Sequence, residues 1–226
     1  MTTAKRALLL AGIAAALMVG TFGMHGQGAP AATGLVYGQL PEPAGGYYHA
    51  SENGTYYDEF VWDDFTLPSS QTITEIHWRG NYDPVYATVH GPLTSFTVAI
   101  YASIPGGYQP DVVNLPPLME YILAGNAGET LAGTFGGVVM YDYSYVLPLP
   151  FQANAGAKYW VYLQAFQSGV PDWCIAKGTG GDGQHFHGFI NDAGGTGYQY
   201  AAGDAAFALL GPDTNFKKVY LPLVIK

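Results

Sequence analysis

From Tyr56 onward the chain keeps a two-residue rhythm, and that rhythm restricts it to extended structure. Successive side chains of a strand point to opposite faces, so apolar residues at every second position mark a half-buried strand. The run 94–102 sets Phe96, Val98 and Ile100 on one face. The run 158–166 sets Tyr159, Val161, Leu163 and Ala165 opposite Trp160, Tyr162, Gln164 and Phe166. In 72–79, Thr74, Ile76 and Trp78 oppose Ile73, Glu75, His77 and Arg79. Ala205, Phe207 and Leu209 alternate with Ala206, Ala208 and Leu210, and 218–225 offers Val219, Leu221, Leu223 and Ile225. Within 58–67 the phase changes: Phe60 and Trp62 share one face, Phe65 and Leu67 the other, which predicts a bulge near Asp63-Asp64. Such runs recur about every 8 to 14 residues, split by Gly, Pro, Asn and Asp. The best helical candidate, 117–124, is short and reads equally well as a strand. Roughly ten strands joined by hairpin-like turns close into two packed antiparallel sheets, an all-β sandwich.

The residues before this region carry a different signal. Lys5 and Arg6 precede a run of 13 apolar and small residues from Ala7 to Val19, and Ala29-Pro30-Ala31 supplies a small-residue cleavage pattern. A bilayer takes about 20 apolar residues to span. Residues 1–31 therefore read as a signal peptide, which implies a secreted or cell-surface protein with no membrane span after cleavage. Residues 32–55, rich in Gly, Pro, Ala and Tyr, read as an N-terminal arm, and 56–226 as a single domain. Asn53-Gly54 is a turn dipeptide.

Past Ala31 the chain retains 6 basic residues against 17 acidic ones, a net charge of −11. Such a surface repels phosphate backbones, so no nucleic-acid partner is expected. Charged residues make up only 11% of the chain, while 18 Tyr, 11 Phe and 4 Trp are present, a stock that excludes disorder. The single cysteine, Cys174, lies between Trp173 and Ile175 and reads as a buried thiol.

Two segments carry a resemblance. Asp63-Asp64-Phe65-Thr66-Leu67 is followed by Gln71-Thr72-Ile73-Thr74-Glu75-Ile76-His77-Trp78-Arg79-Gly80. This opening resembles secreted bacterial jelly-roll domains. Phe96-Thr97-Val98-Ala99-Ile100-Tyr101 and Gly203-Asp204-Ala205-Ala206-Phe207-Ala208-Leu209 are similar to later strands of that pattern. The resemblance spans residues 58–211 and implies a jelly-roll-like sandwich of largely unassigned function. The ending Val219-Tyr220-Leu221-Pro222-Leu223-Val224-Ile225 is similar to C-termini of exported proteins from filamentous green bacteria of the Chloroflexus kind.

Three constellations bear chemistry. Asp58, Glu59, Asp63 and Asp64 form an acidic group. Sandwich lectins often hold a structural Ca²⁺ where first and last strands meet, so Asp64 and Asp204 are the expected ligands, if their strands pair. His185 and His187 share a strand face and resemble the histidine pair of cupins, although Asn191 stands where that pattern wants a glutamate. Trp173 follows Pro171-Asp172 and precedes Gly-rich 178–183, so with His185, His187 and Tyr198 it forms the expected sugar site. Trp62, Trp78 and Trp160 read as core. The functional expectation is a non-catalytic domain that binds carbohydrate or cell-surface polymer. A self-associating surface-layer or matrix protein and a sandwich-fold polysaccharide hydrolase are the alternatives.

Overall fold

A computed structural model of the chain describes residues 33–53, 57–83, 93–167, 173–191 and 195–212. The signal-peptide reading, Gly54 of the turn dipeptide and the strand expected over 218–225 lie outside these residues. The described residues belong to one compact unit, Ala31–Lys226. They form strands and no helix. The ambiguous 117–124 segment resolves to a strand from Met119 to Ala124.

Among the described residues fifteen strands occur, three of them of four residues or fewer. They are β1 (Thr33–Pro41), β2 (Tyr47–Ala50), β3 (Glu52–Asn53), β4 (Tyr57–Thr66), β5 (Gln71–Tyr82), β6 (Leu93–Ala102), β7 (Met119–Ala124) and β8 (Thr130–Phe135). The rest are β9 (Val138–Ala153), β10 (Lys158–Gln167), β11 (Trp173–Thr179), β12 (Gln184–Asn191), β13 (Thr196–Ala202), β14 (Asp204–Ala205) and β15 (Phe207–Pro212). Eight strands form one sheet in the order β14-β11-β1-β15-β5-β9-β8, with β2 on β11. Because β11 also pairs with β5, part of this sheet closes on itself. Seven strands form the other, β13-β12-β4-β3-β10-β6-β7, antiparallel apart from the β3–β10 pair.

The expected arm is part of the domain. β1 pairs with β15 from Thr33↔Pro212 to Gln39↔Phe207, and crosses to β11 at Leu40 and Pro41. Its Gly and Tyr residues hide the alternation, but the ladder hydrogen bonds need no apolar side chains.

The main core lies between the sheets. Ile76, Trp78 and Tyr143 from one sheet meet Phe96, Val98, Val161 and Leu163 from the other. Trp78 stacks on Tyr143 at 5.6 Å and meets Phe96 edge-on at 5.4 Å. Cys174 is buried. The expected bulge in β4 is absent: its registers with β10 and β12 run unbroken. Phe60 and Trp62 share the outer face while Val61, Asp63 and Phe65 face inward, so both faces of β4 carry large apolar groups. The irregularity sits instead in the β5–β9 pairing between Ile73 and Glu75, which lets both Ile73 and Ile76 reach the core.

Candidate functional site

A sandwich sheet normally turns polar residues to solvent. The outer face of the seven-stranded sheet is aromatic instead. Register lines up one row across it: Tyr200 opposite Phe186, Phe186 opposite Trp62, Trp62 opposite Tyr162, and Tyr162 opposite Ala99. A neighbouring row sets Asp64 opposite Trp160 and Trp160 opposite Tyr101. Trp62 stacks on Tyr162 at 5.0 Å with the planes 27° apart, and Phe186 meets Trp160 edge-on at 6.2 Å. These rings form a second apolar cluster, separate from the core between the sheets.

The segment 103–118 folds over part of this face. Val112 packs on the cluster, and the Trp160 indole Nε1–H donates to Ser103 Oγ at 2.6 Å. Asp111 is buried and accepts from the backbone N–H and the amide of Asn114, fixing the turn that follows. Beside the rings, on the same face of β10, a polar chain is satisfied internally: Tyr162 Oη donates to Gln164 Oε1 at 2.6 Å, and Gln164 Nε2 to the Glu59 carbonyl at 3.1 Å. Burial pushes the Tyr162 phenol well up.

Three tyrosines at the rim are open: Tyr198 is 49% exposed, Tyr200 47% and Tyr108 70%. Gly188, opposite Tyr198 on the neighbouring strand, makes room for the Tyr198 ring to lie across β12, parallel to Phe186 at 5.9 Å. Beside Tyr200 stands an ion bridge. Lys158 Nζ is 2.6 Å from Asp64 Oδ2 and 3.6 Å from Asp182 Oδ2, and lies over the Trp160 ring. Partial burial would lower the Lys158 ammonium, but Asp64 and Asp182 outweigh it and raise it. Asp64 is raised by burial, with Lys158 opposing. Partial burial raises the Tyr200 phenol, within the fields of Lys158, Asp64, Asp182 and Tyr108. Aromatic rings, a lysine and two carboxylates thus meet at one end of this outer face.

The residues expected to bind sugar do not converge. Tyr198 belongs to the rim. Trp173 is wholly buried on β11, with Nε1–H donating to Tyr143 Oη at 3.1 Å and its ring edge-on to Phe96 at 5.1 Å. It is core, because β11 draws it under Gly80, whose missing side chain leaves space for the indole. His185 and His187 share a face, but it is the inner one, and both are buried. The His185 Nδ1–H donates to the Gly203 carbonyl at 2.7 Å, and His187 Nε2 lies 3.1 Å from Glu59 Oε2. Each ring is thus tied to its own partner.

The expected convergence of Asp64 and Asp204 on a calcium ion is not built either. β4 and β14 lie in different sheets. Asp64 binds the Lys158 ammonium, while Asp204 accepts from the Gly181 and Gly183 N–H groups at 2.8 and 2.6 Å. Among the described residues no three His, Cys, Asp or Glu side chains are grouped to hold a metal. Asp63 links the strands instead: one oxygen accepts from the Ala205 N–H, the other from the Asp64 N–H and the Gln39 amide. Burial pushes its carboxyl well up. Nearby, burial pushes the Tyr37 phenol up to about 12.

Comparison with known families adds one match. A domain described as Domain of unknown function (DUF7901) spans residues 35–126. It runs from within β1 past the end of β7, starting inside the expected arm, in keeping with the largely unassigned domain that the resemblance implied. Strands β10, β12 and β13, which carry much of the aromatic face, lie beyond it. No curated protein matches the chain.

Proposed function

We propose that this domain, a jelly-roll-like sandwich, is an exported non-catalytic module that binds glycan through the outer face of its seven-stranded sheet. The carrying observation is the rim of half-open tyrosines, Tyr198 and Tyr200, laid against buried rings and beside the Asp64–Lys158–Asp182 bridge. A tyrosine ring offers an apolar face and a polar tip. It stacks against the C–H face of a pyranose while its hydroxyl stays wet. Carboxylates and an ammonium then supply acceptors and donors for ring hydroxyls. Buried Phe186 and Trp62 behind the rim hold Tyr198 in place, so less ordering is left to binding. The basic start and short apolar run of residues 5–19 support export. The open groove of about 500 Å³ between Val36, Ser69–Thr72, Gln152 and Pro212 has no carboxylate in its lining, so the pair a glycosidase needs is not found there.

Affinity electrophoresis through gels loaded with soluble neutral polysaccharides tests the reading. At least one polymer is expected to retard the chain, and Tyr198→Ala or Tyr200→Ala to weaken binding about tenfold each, equivalent to about 1.4 kcal/mol. Far-ultraviolet circular dichroism should not change. Retardation by no polymer, or retardation indifferent to both substitutions, rejects the proposal.

A further inference from the structure

The geometry points to β13 as a pairing edge, at which two copies of this chain join antiparallel and extend the seven-stranded sheet across a two-fold axis. Among the described residues the sheets end in five edges: β13 and β7 in one, and β14, β8 and the four-residue β2 in the other. Proteins guard edges with charge, proline, bulges or brevity. β14 has only two residues. β8 is bulged against β9 between Leu131 and Gly133, and Gly133 takes φ +138°. β7 carries Glu120. β13 reads Thr-Gly-Tyr-Gln-Tyr-Ala-Ala, seven residues with neither charge nor proline, and its register with β12 is unbroken from Thr196 to Ala202. It is the edge with none of these guards.

The strand also matches itself. A two-fold axis at Gln199 sets Tyr198 of one copy opposite Tyr200 of the other, and Gln199 opposite Gln199. Both tyrosines lie on the aromatic face, so pairing continues the Trp62–Phe186–Tyr200 row into the second copy. Closure by a two-fold uses up both β13 edges and leaves a finite pair. The chain's own tail is a poorer occupant, because Pro222 lacks a backbone N–H and any register that turns it toward β13 loses a bond that a second β13 strand makes. No charged side chain is brought into opposition at the seam, while the net charge of −9 opposes approach at long range. Added salt should therefore tighten the pair.

Sedimentation velocity over about 1 to 100 µM chain tests this independently of glycan binding. A monomer–dimer equilibrium that strengthens with salt is expected. Gln199→Lys sets like charges opposite each other at the axis and should weaken the dimer about tenfold or more. Ile122→Lys, on the β7 edge, should leave it unchanged. A dimer indifferent to Gln199→Lys overturns the proposal. So does a monomer at every concentration: if Gln199→Lys then lowers the melting temperature, the chain's own tail fills the edge, and if not, the edge stays open to an extended foreign segment.

Discussion

Gly188→Ala asks whether the tyrosine rim can adapt, and Gly80→Ala supplies the contrast. A methyl group at Gly188 would stand 2.8 Å from two carbons of the Tyr198 ring and 3.2 Å from Trp62. Favourable carbon contacts begin near 3.5 Å, so the Tyr198 ring must retreat by about 0.7 Å. That ring is half exposed and held mainly by its stack on Phe186, so it swings outward while the backbone stays. Weakening the stack costs about 0.5 to 1.5 kcal/mol. Replacing glycine by alanine within a strand returns about 0.5 to 1 kcal/mol. The net change should lie within about 1 kcal/mol of zero, at most a shift of about 4 °C in Tm. At Gly80 the methyl would stand 2.3 and 2.6 Å from the Trp173 ring and 2.8 Å from the Cys174 carbonyl oxygen. Neither can yield, because Trp173 is buried between Phe96 and Tyr143, and the carbonyl is backbone. Overpacking there should cost about 3 kcal/mol or more. Urea denaturation followed by circular dichroism reads both variants. Equal losses would refute the reasoning, since they would mean that the rim is as rigid as the core.

Trp160→Phe keeps most of the ring but removes the bond to Ser103, and should cost about 1 kcal/mol and speed amide exchange in 103–118. Glu129→Ala removes the acceptor that the Tyr82 and Tyr143 hydroxyls share, each donating to Glu129 Oε2 at 2.7 Å, and a loss of about 1 to 3 kcal/mol is expected in urea melts. Asp63 gives a pH dependence. Its folded carboxyl lies above the ordinary value of 3.8, so its stability contribution is full below that value and is lost as pH rises through the folded one. Asp63→Asn should flatten that decline, yet cost about 1 to 3 kcal/mol at acid pH by aiming an amide N–H at backbone donors; melting curves across pH report both effects.

Much of the fold was legible because inner-face residues obey a strict period. Phe96, Val98 and Ile100, and Tyr159, Val161 and Leu163, fall where alternation puts them. The strand within the expected arm was missed because β1 is held by ladder hydrogen bonds and a bulge between Leu35 and Tyr37, with an exposure pattern that alternation does not describe. Trp173 was misassigned because its flanking Pro and Gly residues suggest a loop, whereas the indole fills the space left by Gly80, 93 positions away. The histidines kept their shared face, but nothing in a single strand tells which face is inner.

That last ambiguity also hid the aromatic face. In β4 and β10 both phases are apolar, and a strand buried on both sides reads the same whether its second layer is core or a covered outer surface. The difference is set by what lies opposite. Inward, β10 meets a second sheet; outward, Trp160 and Tyr162 meet one segment, 103–118, and then a rim of tyrosines. A single segment cannot cover a sheet as another sheet does, so the layer ends in the half-open rings of Tyr198 and Tyr200. The sequence signal was therefore present as the phase conflict within 58–67 and the two-faced pattern of 158–166. Read as two apolar faces in place of a kink, it points to an aromatic surface that solvent alone does not explain.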